Sequence, residues 1–171
     1  QIGEISGIME ESEHTTQWFF GEYEFTVDGQ RRLAIPKQWR QAGDDENRFF
    51  LLPGRDQSLQ LVPGAVFQEL LQKLRKVSFA DAQAARAMAS VGSMAQECVP
   101  DKQGRITLTV RLMEHAGIQD KALLLGAVTS IQIWNPETWH SQQMDSETGL
   151  DVLQGLQEKP DDFEEILSKS K

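Results

Sequence analysis

A single cysteine, Cys98, stands in the 171 residues, so no intramolecular disulfide framework is open to the chain, as fits a reducing compartment. With Gln96, Glu97 and Val99 around it and no histidine near in sequence, Cys98 is expected to be a small apolar strand residue. No apolar run approaches the ~18 residues of a membrane span. The first residues carry acids where a secretory signal has bases. A cytoplasmic protein without a membrane partner is therefore expected. The three histidines, His14, His115 and His140, are scattered, with no His-Glu or Cys-His ligand spacing. Gly-rich phosphate loops of Walker or Rossmann form are missing too. The chain is read as a non-enzyme, with no catalytic residue, metal, cofactor or small-molecule substrate.

Basic charge is also scarce. The net charge of −9 at first argues against a nucleic-acid partner. Its distribution changes the argument. Residues 1–17 hold four acids and no lysine or arginine, and residues 145–171 hold eight acids and three lysines. Between them, residues 18–144 carry 14 acids and 14 bases. The core is neutral and the acidity belongs to its extensions, which are expected to lie away from any DNA or to compete with it for basic loops.

What the sequence does contain is a repeat. Asp28 and Arg32, within Tyr23–Pro36, recur as Asp101 and Arg105, within Gln96–Thr109, at an offset of 73. Leu59-Gln60-Leu61-Val62 is answered by Ile131-Gln132-Ile133-Trp134, and each is followed five residues on by an aromatic, Phe67 or Trp139. Both copies read as strand, Asp-x-x-x-Arg turn, strand, short helix, two strands, helix. Tyr23, Phe25 and Val27 alternate with polar residues at the period of a half-buried strand. Asp28-Gly29 and Gly104 are turn residues. The short helices are expected over Lys37–Ala42, started by Pro36, and over Val110–Ala116, each ended by a glycine. Apolar strands are expected at Arg48–Leu52 and Lys121–Leu125. After Pro63, Val66, Phe67, Leu70, Leu71 and Leu74 recur at helical spacing.

This divides the chain into an acidic N-terminal extension (1–17), a first unit (18–77), a helical connector (78–95), a second unit (96–144) and an acidic C-terminal extension (145–171). In the connector Ala80, Ala84, Ala87, Met88 and Val91 are expected to share one helix face. A six-residue strand cannot bury both faces alone. The two units must pack on each other or on another subunit. The C-terminal extension, with Leu150, Val152, Leu153, Leu156, Phe163, Ile166 and Leu167 among acids, reads either as a helix packing on a neighbour or as a partner-binding segment.

These residues resemble the MraZ family, whose units are of the SpoVT–AbrB swapped-hairpin class. The resemblance runs over about residues 18–144. It is carried by Phe20-Gly21-Glu22-Tyr23, by Thr26-Val27-Asp28 through Arg32-Leu33-Ala34-Ile35-Pro36, by Trp39-Arg40, by Asp101-Lys102-Gln103-Gly104-Arg105, and by Ile133-Trp134-Asn135-Pro136-Glu137-Thr138-Trp139. It implies an α+β, β-rich fold in which two tandem AbrB-like units form one intertwined β-barrel-like domain flanked by helices. It also implies a nucleoid-associated transcriptional regulator, a ring-like homo-oligomer, that binds double-stranded DNA at repeated promoter boxes of the division and cell wall gene cluster. Arg32 and Arg105 match the positions implicated in DNA contact, and Asp28 and Asp101 would shape the turn or hold the arginine. Two departures stand out. Gln30-Arg31 replace the usual Lys-Gly, and Leu108-Thr109 replace Leu-Pro. A non-glycine at Arg31 is expected to exclude a comfortable positive φ.

A two-stranded ribbon fits the major groove, where an arginine fork bonds guanine O6 and N7. Nearby bases neutralise phosphates. Arg31, Arg32, Lys37 and Arg40 cluster in the first unit, and Lys102, Arg105 and Arg111 in the second. The expected DNA-binding set is Arg32, Arg105, Arg31, Lys102, Lys37 and Arg40, with Asp28 and Asp101 structural. Trp134 and Trp139 are expected in the core or at a subunit interface rather than stacked on bases. The competing reading is a protein-interaction or assembly module that keeps this fold without DNA binding.

Overall fold

Alternating side chains set the first strand. In β1 (Glu22–Thr26) half-buried Tyr23 and Phe25 alternate with exposed Glu22, Glu24 and Thr26. The inner strands β3 (Phe49–Pro53), β4 (Leu59–Pro63), β7 (Lys121–Gly126) and β8 (Ile131–Trp134) are more apolar, and Leu51, Leu59, Leu61, Leu124, Ile131 and Ile133 are fully enclosed. The computed structural model describes residues 17–40 and 47–158. Its fold divides after Thr138 into a larger body and a C-terminal one.

In the larger body the strands form one antiparallel sheet in the order β1-β7-β8-β4-β3-β5, with β5 at Gln96–Cys98. The first strand of each repeat lies on the third strand of the other: β1 on β7 and β5 on β3. The register makes the relation between the repeats visible. Gln60 faces its own counterpart Gln132 where β4 meets β8. Leu33 faces its counterpart Ile106 in a separate two-stranded ribbon of β2 (Arg32–Ala34) and β6 (Arg105–Thr107). A pseudo-twofold axis therefore relates the repeats, and they form one sheet.

The expected barrel-like closure is corrected. Among the described residues β1 and β5 stand at opposite edges of an open sheet. The strands that follow the two edge strands in the chain, β2 and β6, are not part of that sheet and pair with each other. The structure is a mixed α+β fold with a large antiparallel sheet.

The ribbon lies over the core. Leu33, Ile35, Ile106 and Leu108 are at most 2% exposed, each burial contributing about 1.5–3 kcal/mol before entropy is counted. Trp39 is buried edge-on against Phe19 (6.0 Å) and Tyr23 (5.1 Å), and its indole N–H donates to the Phe20 carbonyl at 3.2 Å. This packing bears on the first short helix. Only a single 3-10 turn, Lys37–Trp39, forms there, and Arg40 is already extended. Positions 41 and 42, the rest of the expected helix, lie outside the described residues. No side chain caps that turn. The second copy does form an α-helix, α3 (Val110–Ala116), because Thr109 caps it through the Leu112 amide and Gly117 ends it in the left-handed conformation.

Two helices join the repeats. α1 (Gly64–Leu74) rests on the sheet through Phe67, stacked on Phe50 at 3.9 Å, and through Leu71. α2 (Ala82–Gly92) is capped by Asp81 and turns Ala84, Ala85 and Met88 inward. Ala80, Ala87 and Val91, expected on that face, are exposed. Trp134 is buried at the end of β8, and Trp139 is half-buried in α4 (Pro136–Gln142). In the C-terminal body α5 (Ser146–Glu158) is capped by Asp145, which accepts from the Thr148 amide and hydroxyl at 2.9 and 2.7 Å. Phe163, Ile166 and Leu167 lie outside the described residues, as do the N-terminal acids. Among the described residues no helix is long and apolar enough to cross a membrane.

Two outcomes follow from this packing. A Cβ at Gly126 would stand 2.5 Å from the backbone of Phe19 and Phe20, which cannot yield as a side-chain tip can. Gly126→Ala should cost about 1–3 kcal/mol of stability, read from the denaturation midpoint. Cys98 is buried at the end of β5, and desolvation, then the Glu97 charge, pushes its thiol up to about 12. At pH 8 its alkylation by iodoacetamide should be slower in the native protein than in denaturant by about two orders of magnitude or more.

Candidate nucleic-acid interface

The site starts with one short carboxylate. Oδ1 of Asp28 accepts from the amides of Gln30 and Arg32, both at 2.9 Å, and Oδ2 accepts from Arg32 Nε at 2.6 Å. The backbone closes the same turn, with the Arg31 amide donating to the Asp28 carbonyl at 3.0 Å and the Asp28 amide to the Arg32 carbonyl at 3.1 Å. Asp101 repeats the pattern: Gln103 and Arg105 amides at 2.9 Å, and Arg105 Nε at 3.1 Å. This is the physical content of the Asp-x-x-x-Arg spacing. The carboxylate gathers two amides and fixes the guanidinium that emerges on the following strand.

The fourth residue of each turn is left-handed. Gly104 takes φ +76° without a Cβ penalty. Arg31 takes φ +60° in the same place, which corrects the expectation that a non-glycine there avoids positive φ. The conformation costs roughly 1–2 kcal/mol. It is held by tertiary bonds, the Leu108 amide donating to the Arg31 carbonyl at 2.8 Å and Arg31 Nε donating to the Leu108 carbonyl at 3.0 Å.

Beyond the turns, the ribbon brings both repeats together. Leu33 and Ile106 point into the core, so Arg32, Ala34, Arg105 and Thr107 point outward. Arg32 is opposite Thr107 and Arg105 opposite Ala34. The two arginines are diagonal neighbours, about 7–8 Å apart at Cα. Their side chains are 32% and 27% exposed, with Nε turned to the aspartate. Lys102 is exposed at the tip of the second turn, whereas Gly29-Gln30 leave the first tip uncharged. Lys37 is exposed on the 3-10 turn.

Arg31 and Arg40 are placed differently. Arg31 bonds across to Leu108, and the Arg40 guanidinium crosses Gly104. Arg111 reaches Ser93 at 3.4 Å. Sequence reasoning missed Ala34 and Thr107 as outer-face neighbours of the arginines. The period-2 alternation around Leu33 and Ile106 carries that signal. Among the described residues no group of three or more potential metal ligands gathers.

The turn carboxyls of Asp28 and Asp101 sit below the ordinary 3.8, held down first by the backbone N–H of Arg32 and of Arg105. Because the folded values are depressed, the stabilisation is complete above the unfolded value and is lost as pH falls through the folded ones. Amide resonances of Gln30 and Gln103, followed by NMR from pH 6 downward, should therefore titrate with midpoints below 3.8. Asp28→Ala should abolish the Gln30 titration.

Comparison with known proteins supplies the relationship. Residues 18–89 and 93–151 match the family described as "MraZ protein, putative antitoxin-like". A protein of Limosilactobacillus fermentum named transcriptional regulator MraZ is 35% identical over 136 residues, covering 79% of this chain and 93% of its own length. Proteins of the same name from Desulforamulus reducens (33% over 135 residues; 79% and 94%) and Moorella thermoacetica (34% over 146 residues; 85% and 99%) are similar to it as well. The chain belongs to the MraZ family, a family of transcriptional regulators and not of enzymes.

Proposed function

We propose that this protein is a sequence-specific DNA-binding regulator, cytoplasmic and nucleoid-associated, that reads repeated promoter boxes of the division and cell wall gene cluster as a ring-like homo-oligomer. The observation that carries the reading is the diagonal pair Arg32 and Arg105 on the outer face of the ribbon, each braced by its aspartate. A two-stranded ribbon enters a major groove about 12 Å wide. A diagonal of about 7–8 Å corresponds to roughly two base-pair steps of 3.4 Å. Arg32 then turns its Nη end to a guanine edge while Nε stays on Asp28, and Arg105, whose Nε and Nη2 both lie 3.1 Å from Asp101 Oδ2, offers its remaining Nη. Lys102 and Lys37, both exposed, are the phosphate contacts of the reading. The strand exchange between repeats is read as the swapped-hairpin arrangement of the SpoVT–AbrB class.

A neutral core binds weakly, since affinity grows with the phosphates neutralised. Several copies on neighbouring boxes add through effective concentration. The exposed Val66, Leu70 and Leu74 of α1 support assembly of such copies. The test is electrophoretic shift of the upstream region of the protein's own operon. Each arginine to base contact is worth about 1–3 kcal/mol, so Arg32→Ala with Arg105→Ala should weaken the shift by about a hundredfold or more. A wild-type protein that gives no salt-sensitive shift would sink the proposal and favour the assembly module.

A further inference from the structure

The two turns share their aspartate, glutamine and arginine but differ at the second and fourth residues, and at the fourth each is seated against the opposite repeat. In the first turn Arg31 is left-handed and its Nε donates to the Leu108 carbonyl at 3.0 Å. The recess beside it is walled by Val110 and Met113 of α3. In the second turn Gly104 takes that place, and the guanidinium of Arg40 lies where a side chain at 104 would begin. Arg40 Nε is buried and, among the described residues, finds no acceptor. The backbone completes the correspondence: the Leu108 amide donates to the Arg31 carbonyl and the Ile35 amide to the Gly104 carbonyl, both at 2.8 Å.

Under the repeat offset of 73, Gly104 is the counterpart of Arg31 and Met113 the counterpart of Arg40. One arginine therefore lies beside each turn, Arg31 exposed and Arg40 half-buried. The turn supplies it in one half, and the facing segment supplies it in the other. We infer that Arg31 and Arg40 are equivalent positioning residues that set how the two turns present Arg32 and Arg105, and that neither donates to a DNA phosphate. Arg31 Nε is held on the Leu108 carbonyl, and the Arg40 guanidinium covers Gly104. The inference rests on the DNA-binding reading for its consequence and on the seat itself for its geometry, so two measurements separate them.

The first needs no DNA. Gly104→Arg puts two arginines at one seat and should lower the thermal midpoint by several degrees. Adding Arg40→Met copies the first half's pairing into the second and should recover at least half of that loss. A double variant no more stable than Gly104→Arg alone overturns the shared seat. The second is DNA affinity across a salt series. Arg31→Ala, Arg31→Lys and Arg40→Ala should each weaken binding, with the slope of log K against log salt unchanged. A phosphate contact instead removes about 0.9 from that slope and is retained by lysine. A slope loss of that size, full rescue by Arg31→Lys, or unchanged affinity in both alanine variants overturns the positioning role. A wild type that binds no DNA defeats the functional reading, while the thermal midpoints still decide whether the two arginines share one seat.

Discussion

Neither repeat provides a partner for its own first strand. β1 finds its hydrogen bonds on β7 and β5 on β3, so the backbone amides of each repeat are satisfied only when the other is folded against it. The rest follows from that exchange. It places β4 beside β8, with Gln60 opposite Gln132, and lifts β2 and β6 out together as a ribbon centred on Leu33 and Ile106. Those two side chains, with Ile35 and Leu108, anchor the ribbon to the core and leave its outer face to polar and small residues. The groups offered to a partner are therefore fixed by the same contacts that hold the two repeats together.

At the ribbon the chemistry is economical. A carboxylate that accepts two amides and one guanidinium nitrogen makes the turn and orients the arginine in one step. An arginine held in this way loses less conformational freedom on meeting a base edge than a free one. The fourth position of the turn then decides what lies behind it. At Gly104 the glycine leaves room for the Arg40 guanidinium from the facing segment, whereas Arg31 brings a guanidinium of its own to the Leu108 carbonyl.

Much of this was legible before any coordinates. The duplicated Asp-x-x-x-Arg spacing, the alternation in β1, α3 with its Gly117 end, and the neutral core between acidic ends are all local or compositional signals. The parts that were not legible depend on tertiary contacts. Strand exchange leaves no local mark, because β1 has the same alternation whichever repeat it pairs with. After Pro36 the described residues form only a 3-10 turn, whose Trp39 is buried against Phe19 and Tyr23, two residues far back in the chain. Arg31 in a glycine's conformation is explained only by Leu108, 77 positions away. In α2, helical spacing gave the element and part of the face, since Ala84 and Met88 turn inward as expected, with Ala85 beside them, and Ala80, Ala87 and Val91 do not.

The seat beside the two turns has a consequence of a different kind. In a symmetric dimer of single repeats, every substitution is made on both sides of the axis at once, and an exchange that suits only one side has no route. Here one peptide carries both halves, so Arg31 stands in one turn while glycine remains in the other. The two ends of the ribbon are chemically distinct, Gly29-Gln30 at one and Lys102-Gln103 at the other. A surface of that kind has a direction: a half-turn about the axis does not map it onto itself, so its two ends present different groups to any partner.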